Sequence, residues 1–163
     1  HMDGIDETST NPPDACNGDT DGACNTDVIE RYETDGSCDV TDIPPDKYAA
    51  GLCLALTDGG YEDWYLPAIC ELGYYRPAPS TPDINNGCGT VESPTLQNML
   101  SNLHDMQFGT LQGIFWSSTQ YSDTADYSSW SQYYLGPVTY QTHDAKADTS
   151  GVRCVRVITQ PTA

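Results

Sequence analysis

Seven cysteines, at positions 16, 24, 38, 53, 70, 88 and 154, constrain this chain more than any other feature. Their successive spacings are 8, 14, 15, 17, 18 and 66 residues. A zinc or iron site would place its ligands in close pairs, or beside clustered histidines. No pair here is that close, and apart from His1 the histidines are His104 and His143, far apart. Scattered cysteines in a Lys-poor chain rich in Tyr, Thr, Ser and Asn read instead as disulfides made in an oxidising compartment. Six can pair. The seventh is then a free thiol, a link between chains, or the partner of a cysteine outside this sequence. Spacing alone does not fix the connectivity.

The 163 residues amount to one domain. Hydrophobic residues at 37% and aromatics at 10% are too many for a disordered chain. Against 24 acidic residues stand only Arg31, Lys47, Arg76, Lys146, Arg153 and Arg156, for a net charge of −18. That balance excludes a nucleic-acid footprint and charge-driven docking on anionic lipid. No run of ~18 apolar residues is present to span a membrane. His1-Met2 reads as a cloning remnant, and residues 1–23 as a polar arm tied down at Cys16 and Cys24. A single domain over 24–163 follows.

Along the chain, Thr26–Tyr32, with Val28 and Ile29, reads as a first strand. Ala49, Leu52, Cys53 and Leu56 recur at helical spacing after Pro44-Pro45, so a helix is expected from Asp46 to the Asp58-Gly59-Gly60 stop. Pro67 opens a short second helix that faces Ile69 and Leu72 inward. Ser93-Pro94 reads as the cap and first residue of a third helix, with Leu96, Met99, Leu100 and Leu103 as its stripe. Beyond residue 110 the period falls to two. Strands are expected over 113–121, 129–135, 138–142 and 152–159, with a hairpin turn at Leu135-Gly136-Pro137. The class is α+β: two to three helices packed on an antiparallel, disulfide-stapled sheet.

The ordered pieces Gly60-Tyr61-Glu62-Asp63-Trp64-Tyr65-Leu66-Pro67, Glu71-Leu72, Phe115-Trp116-Ser117-Ser118, Trp130 and Val152-Arg153-Cys154-Val155-Arg156 resemble one family. It is the C-terminal domain family of the Legionella collagen-like adhesin, and the resemblance spans roughly residues 24–159. It implies a C-type-lectin-like fold variant, distantly related to formylglycine-generating enzymes, on a bacterial surface or secreted. It also implies a homotrimer below collagen repeats, binding sulfated host glycans such as glycosaminoglycans. In C-type-lectin-like folds the first helix is commonly stapled to the last strand, which implies Cys53–Cys154. Cys70 then pairs with Cys88 in the following Gly-rich loop, and Cys16–Cys24 closes a short polar loop, leaving Cys38 over; Cys24–Cys53 is the alternative. A polyanion wants a basic surface, so Lys146, Arg153 and Arg156 are the candidates for a local patch that trimerisation would multiply.

Among candidate site residues, Trp116, Trp130 and Trp64 read as core. Tyr is abundant at eleven. Tyr133 and Tyr134 are adjacent on a strand, so one of them faces outward. The expected glycan site is Tyr133 or Tyr134, Tyr140, Lys146 and Arg153, where phenol and amide groups suit sugar hydroxyls. Asn17, Asp19 and Asp21, followed by Gly22, resemble the first half of a Ca2+ loop, although Val28 stands where an EF-hand has Glu. A solvated acidic arm is the simpler reading of that loop. His104-Asp105 and His143-Asp144 are sequence neighbours whose side chains point apart, so they make no dyad, and no Gly-x-Ser-x-Gly elbow exists. A non-enzymatic adhesin module is therefore expected, with a structural trimerisation cap that takes no small ligand as the alternative.

Overall fold

Residues 113–145 supply the three strands of the sheet that organises the molecule. In the computed structural model, which describes residues 4–10, 16–34, 43–76, 87–104, 111–136 and 138–158, three strands pair antiparallel in the order β1-β2-β3. They are β1 (Gly113–Gln120), β2 (Ser128–Leu135) and β3 (Val138–Ala145). The register sets Trp130 opposite His143, Gln132 opposite Gln141 and Tyr134 opposite Thr139 on one face. Ser129 opposite Asp144, Ser131 opposite Thr142 and Tyr133 opposite Tyr140 follow on the other. A bulge between Trp116 and Gln120 interrupts the β1–β2 ladder. Gly136 closes the β2–β3 hairpin at φ 73°, while Pro137 lies outside the described residues.

Two apolar clusters cover the two faces. The first gathers Ile69, Cys70, Leu72, Tyr74, Cys88, Leu100, Leu111, Trp130 and Tyr134. The second is smaller, with Ala50, Cys53 and Leu66 at its centre and Ile29, Tyr48, Val152 and Cys154 around them. Each holds a disulfide, Cys70–Cys88 in the first and Cys53–Cys154 in the second. Cys16–Cys24 is the third. These are the pairings that the resemblance and the local loops imply, and the alternative Cys24–Cys53 does not form. Cys53–Cys154 closes 101 residues, a loop whose constraint in the unfolded chain contributes about 4–5 kcal/mol on the chain-entropy account. Cys38 lies outside the described residues. Three disulfides belong to a protein that folds in an oxidising compartment rather than the cytoplasm.

The expected strand over Thr26–Tyr32 is instead part of a helix, α1 (Gly22–Thr34). Asp21 caps it, its Oδ1 accepting from the Cys24 amide at 3.0 Å. Its inward face is polar and tied to fixed partners. Asn25 Nδ2 donates to the Gly18 carbonyl at 2.7 Å, and Thr26 Oγ1 both donates to the Leu66 carbonyl and accepts from its amide. Tertiary bonds here outweigh the strand preference of Val28 and Ile29.

The helix expected from Asp46 is shorter. A 3-10 turn, Pro45–Lys47, is cut off by extended Tyr48, and α2 then runs Ala49–Leu54. Gly51 is obligatory in α2, because a Cβ there would lie 2.5 Å from the Pro45 carbonyl. α3 (Ile69–Leu72) follows Pro67 as expected. The helix expected from Ser93-Pro94 does not start there. Thr95 donates to the Cys88 carbonyl at 3.0 Å and Pro94 bridges Gly89, so this segment serves to fold back the loop that presents Cys88. Asn98 begins the turn instead, its Oδ1 accepting from Ser101 at 2.9 Å ahead of the π-helical turn Leu100–His104.

The fourth expected strand, over 152–159, is an extended run with isolated bridges. Gly151 pairs with β1 and Val155 with Tyr65; residues beyond 158 lie outside the described set. The N-terminal segment expected as an arm is built into the body. Ile5 is fully buried, its carbonyl accepts from Gln120 at 3.0 Å, and the Asp19 carbonyl accepts from Cys70 at 2.9 Å. A boundary at residue 24 would cut α1 in two.

Candidate functional site

Among the described residues, the second face of the sheet is covered at one end. α1, α2 and the loop after β3 lie over the Trp116 and Ser129 end, and the Tyr133 and Tyr140 end stays half-exposed. The two tyrosine rings stack at 4.6 Å between centroids and 20° between planes. Tyr133 donates its hydroxyl to Asp144, at 3.0 Å from Oδ2. Ser131 donates to the same carboxylate. Partial burial, then the Asp144 bond, pushes the Tyr133 phenol up to about 12. On β1 the register adds Ile114 opposite Tyr133 and Trp116 opposite Ser131.

Where the cover begins, a groove of about 530 Å³ opens between α1, α2, the sheet and the loop at 146–152. Trp116, Leu66, Ile29 and Val152 give it apolar walls, and Ser129 and Thr149 add hydroxyls. Its volume is in the range of small-molecule sites, roughly 300–1,000 Å³. Carboxylates of Glu33, Asp46 and Asp148 outnumber the ammonium groups of Lys47 and Lys146 in its lining. Lys47 is moreover paired with Asp46 at 2.9 Å.

The structure brings some of the expected site together and separates the rest. Tyr133 and Tyr140 are neighbours on the open face. Lys146 lines the adjoining groove, but its ammonium turns back to the Ala125 carbonyl at 2.5 Å, where burial of the charged head lowers its pKa. Tyr134 is fully buried and donates to the Leu72 carbonyl at 2.7 Å, so it belongs to the core and not to a ligand site. Arg153 also stands apart: it is exposed and is not among the residues that line the groove. The basic patch expected of Lys146, Arg153 and Arg156 does not assemble. Arg156 grips Asp63 with Nε and Nη2, at 2.7 and 3.0 Å, and lies 3.6 Å over the Tyr61 ring.

Trp116 and Trp130 are buried as expected. Trp64 is half-exposed, with its indole N–H donating to the Asp58 carbonyl. The Asn17, Asp19 and Asp21 loop forms the entry to α1. Asp21 caps α1, and the Asn17 carbonyl accepts from the Thr20 and Asp21 amides. Among the described residues, no three His, Cys, Asp or Glu side chains converge as metal ligands. The His104 side chain and Asp105 lie outside the described set. His143 stacks on Tyr121 at 3.9 Å, on the opposite face from Asp144.

Sequence reasoning missed two features. One is the groove, which needs α1 in place before Trp116 and Ser129 have a wall opposite them. The other is Glu71, a structural hub. It accepts from the Ala68 amide at 2.8 Å, the Gly22 amide at 3.1 Å and the Tyr65 hydroxyl at 2.8 Å. A Cβ at Gly22 would meet the Glu71 carboxylate at 2.3 Å, which is why α1 starts on glycine. Burial raises the Glu71 pKa despite these three donors. Comparison with known protein families, curated proteins and solved structures returns no match.

Proposed function

We propose that this domain is a non-enzymatic adhesin module, a C-type-lectin-like variant displayed on a bacterial surface or secreted, that binds carbohydrate on the open face of its sheet. The observation that carries the reading is the Tyr133–Tyr140 pair, half-exposed beside Thr142 and Asp144. Aromatic faces suit the C–H surface of a sugar, and hydroxyl and carboxylate groups suit its hydroxyls. The resemblance points to sulfated glycosaminoglycans. The local charge favours a neutral glycan, because Asp144, Glu33 and Asp148 repel a polyanion and Arg156 is engaged by Asp63. A titration with heparin-like and neutral glycans at two salt levels tests this. Neutral-glycan binding is expected to vary little with salt and to survive a chelator. Binding of heparin alone, lost steeply with salt and on Lys146→Ala, would overturn the neutral reading. No binding to either would leave the trimerisation cap.

The cap has an observation of its own: Leu135 is 50% exposed, Val157 60% and Ile158 78%. Such apolar residues suit contact between copies in a homotrimer. Subunits at −18 each repel, so assembly tightens as salt screens them. Light scattering that finds a monomer at low and high salt would remove it.

A further inference from the structure

The tyrosine pair and the groove lie on one face of one sheet, and the register fixes their spacing. Tyr133 and Ser129 are four residues apart on β2, which is roughly 13 Å at the strand rise. One pyranose ring does not span that distance. Between the two ends stand Thr142 and Asp144, a hydroxyl and a carboxylate that are both half-exposed on the same face, with Ser131 buried beneath them. At the far end Trp116 forms part of the groove wall. At the near end Tyr133 is flanked in the register by Ile114 and Tyr140. On the outer edge of β3 the Arg76 backbone pairs with Thr139, the residue before Tyr140, and the Tyr140 ring stays half-exposed.

Building on the carbohydrate reading, we propose that the ligand is an oligosaccharide rather than a single sugar, laid along β2 and β3 with one unit stacked on Tyr140 and another seated in the groove against Trp116. The chain is uncharged. Its path passes Asp144 and ends where carboxylates outnumber ammonium groups, and these carboxylates accept hydrogens from hydroxyls while opposing sulfate. Asp144 already accepts from both Ser131 and Tyr133, so the middle of the path is ordered before the ligand arrives.

Calorimetric titration with neutral β-linked glucose, N-acetylglucosamine and galactose series, from one to four units, tests this. In at least one series affinity is expected to rise by about tenfold or more between one unit and four. Ser129→Phe, which fills the groove mouth, is expected to abolish that gain and leave the affinity for the single sugar unchanged. Thr149→Trp, on the facing loop, gives the same test should the first variant fold poorly. Tyr140→Ala is expected to weaken every length. Binding that does not depend on length, or a gain that survives both groove variants, would overturn the extended site while leaving the carbohydrate reading intact. No binding in any series would remove both.

Discussion

The two faces of the sheet are made from similar residues put to opposite use. On the closed face Tyr134 is fully buried and edge-on to Phe115 at 5.7 Å. Gln132 and Gln141 are buried beside it. Gln141 Nε2 donates to Gln132 Oε1 at 2.9 Å and to the Gly73 carbonyl at 3.1 Å. On the open face, one residue along, Tyr133 is half-exposed and its hydroxyl meets Asp144. The closed-face glutamines are therefore fasteners, while on the open face Tyr133, Tyr140, Thr142 and Asp144 keep part of their surface for a ligand even though Ser131 beneath them is buried. A shift of one residue in register would exchange the two roles.

The largest expected effect is on the closed face. Tyr134→Ala should cost about 3–5 kcal/mol in denaturant unfolding, as a large aromatic leaves the core and the Leu72 carbonyl loses its donor. A cost below about 1 kcal/mol would break the contrast between the faces.

Glu71 ties the start of α1 to α3, and so joins the elements that cover the two faces. Glu71→Ala should cost about 1–3 kcal/mol by leaving buried amides unpaired. Its pH dependence has a definite sign. The folded pKa is raised above the ordinary 4.5, so the stability tied to the protonated form is full below that value and is lost as pH rises through the folded pKa. Measured against Glu71→Gln, the wild type should be relatively most stable in acid and lose that advantage as pH rises through the folded pKa. An advantage that grows with pH would contradict the burial argument.

The smallest effect belongs to the open face. Tyr140→Ala removes one cross-strand pair and should cost roughly 0.2–1 kcal/mol in stability. A loss as large as that of Tyr134→Ala would mean that Tyr140 is core.

Much of this contrast was legible in the sequence. Period two after residue 110 marks the sheet, and the adjacency of Tyr133 and Tyr134 requires opposite destinations. The cysteines, with the resemblance, imply the three bridges. What stayed hidden depends on contacts between distant segments. α1 carries β-branched residues in a polar stretch, and its helical state rests on Asp21, Thr26 and the Leu66 backbone 40 residues away. The groove depends on α1 and was hidden with it. The tie between Arg156 and Asp63 spans 93 residues, so sequence neighbours could not reveal that Arg156 is already paired with a carboxylate.

The central claim is that carbohydrate is held on the open face by Tyr140 and the strip leading to Trp116. The most direct measurement follows aromatic-ring NMR signals during titration with the neutral tetrasaccharides. The account predicts that the rings of Tyr133, Tyr140 and Trp116 shift together and saturably, while those of Tyr134 and Trp130 stay fixed. Unmoved Tyr140 signals under saturating neutral glycan, or shifts confined to the closed face, would contradict it.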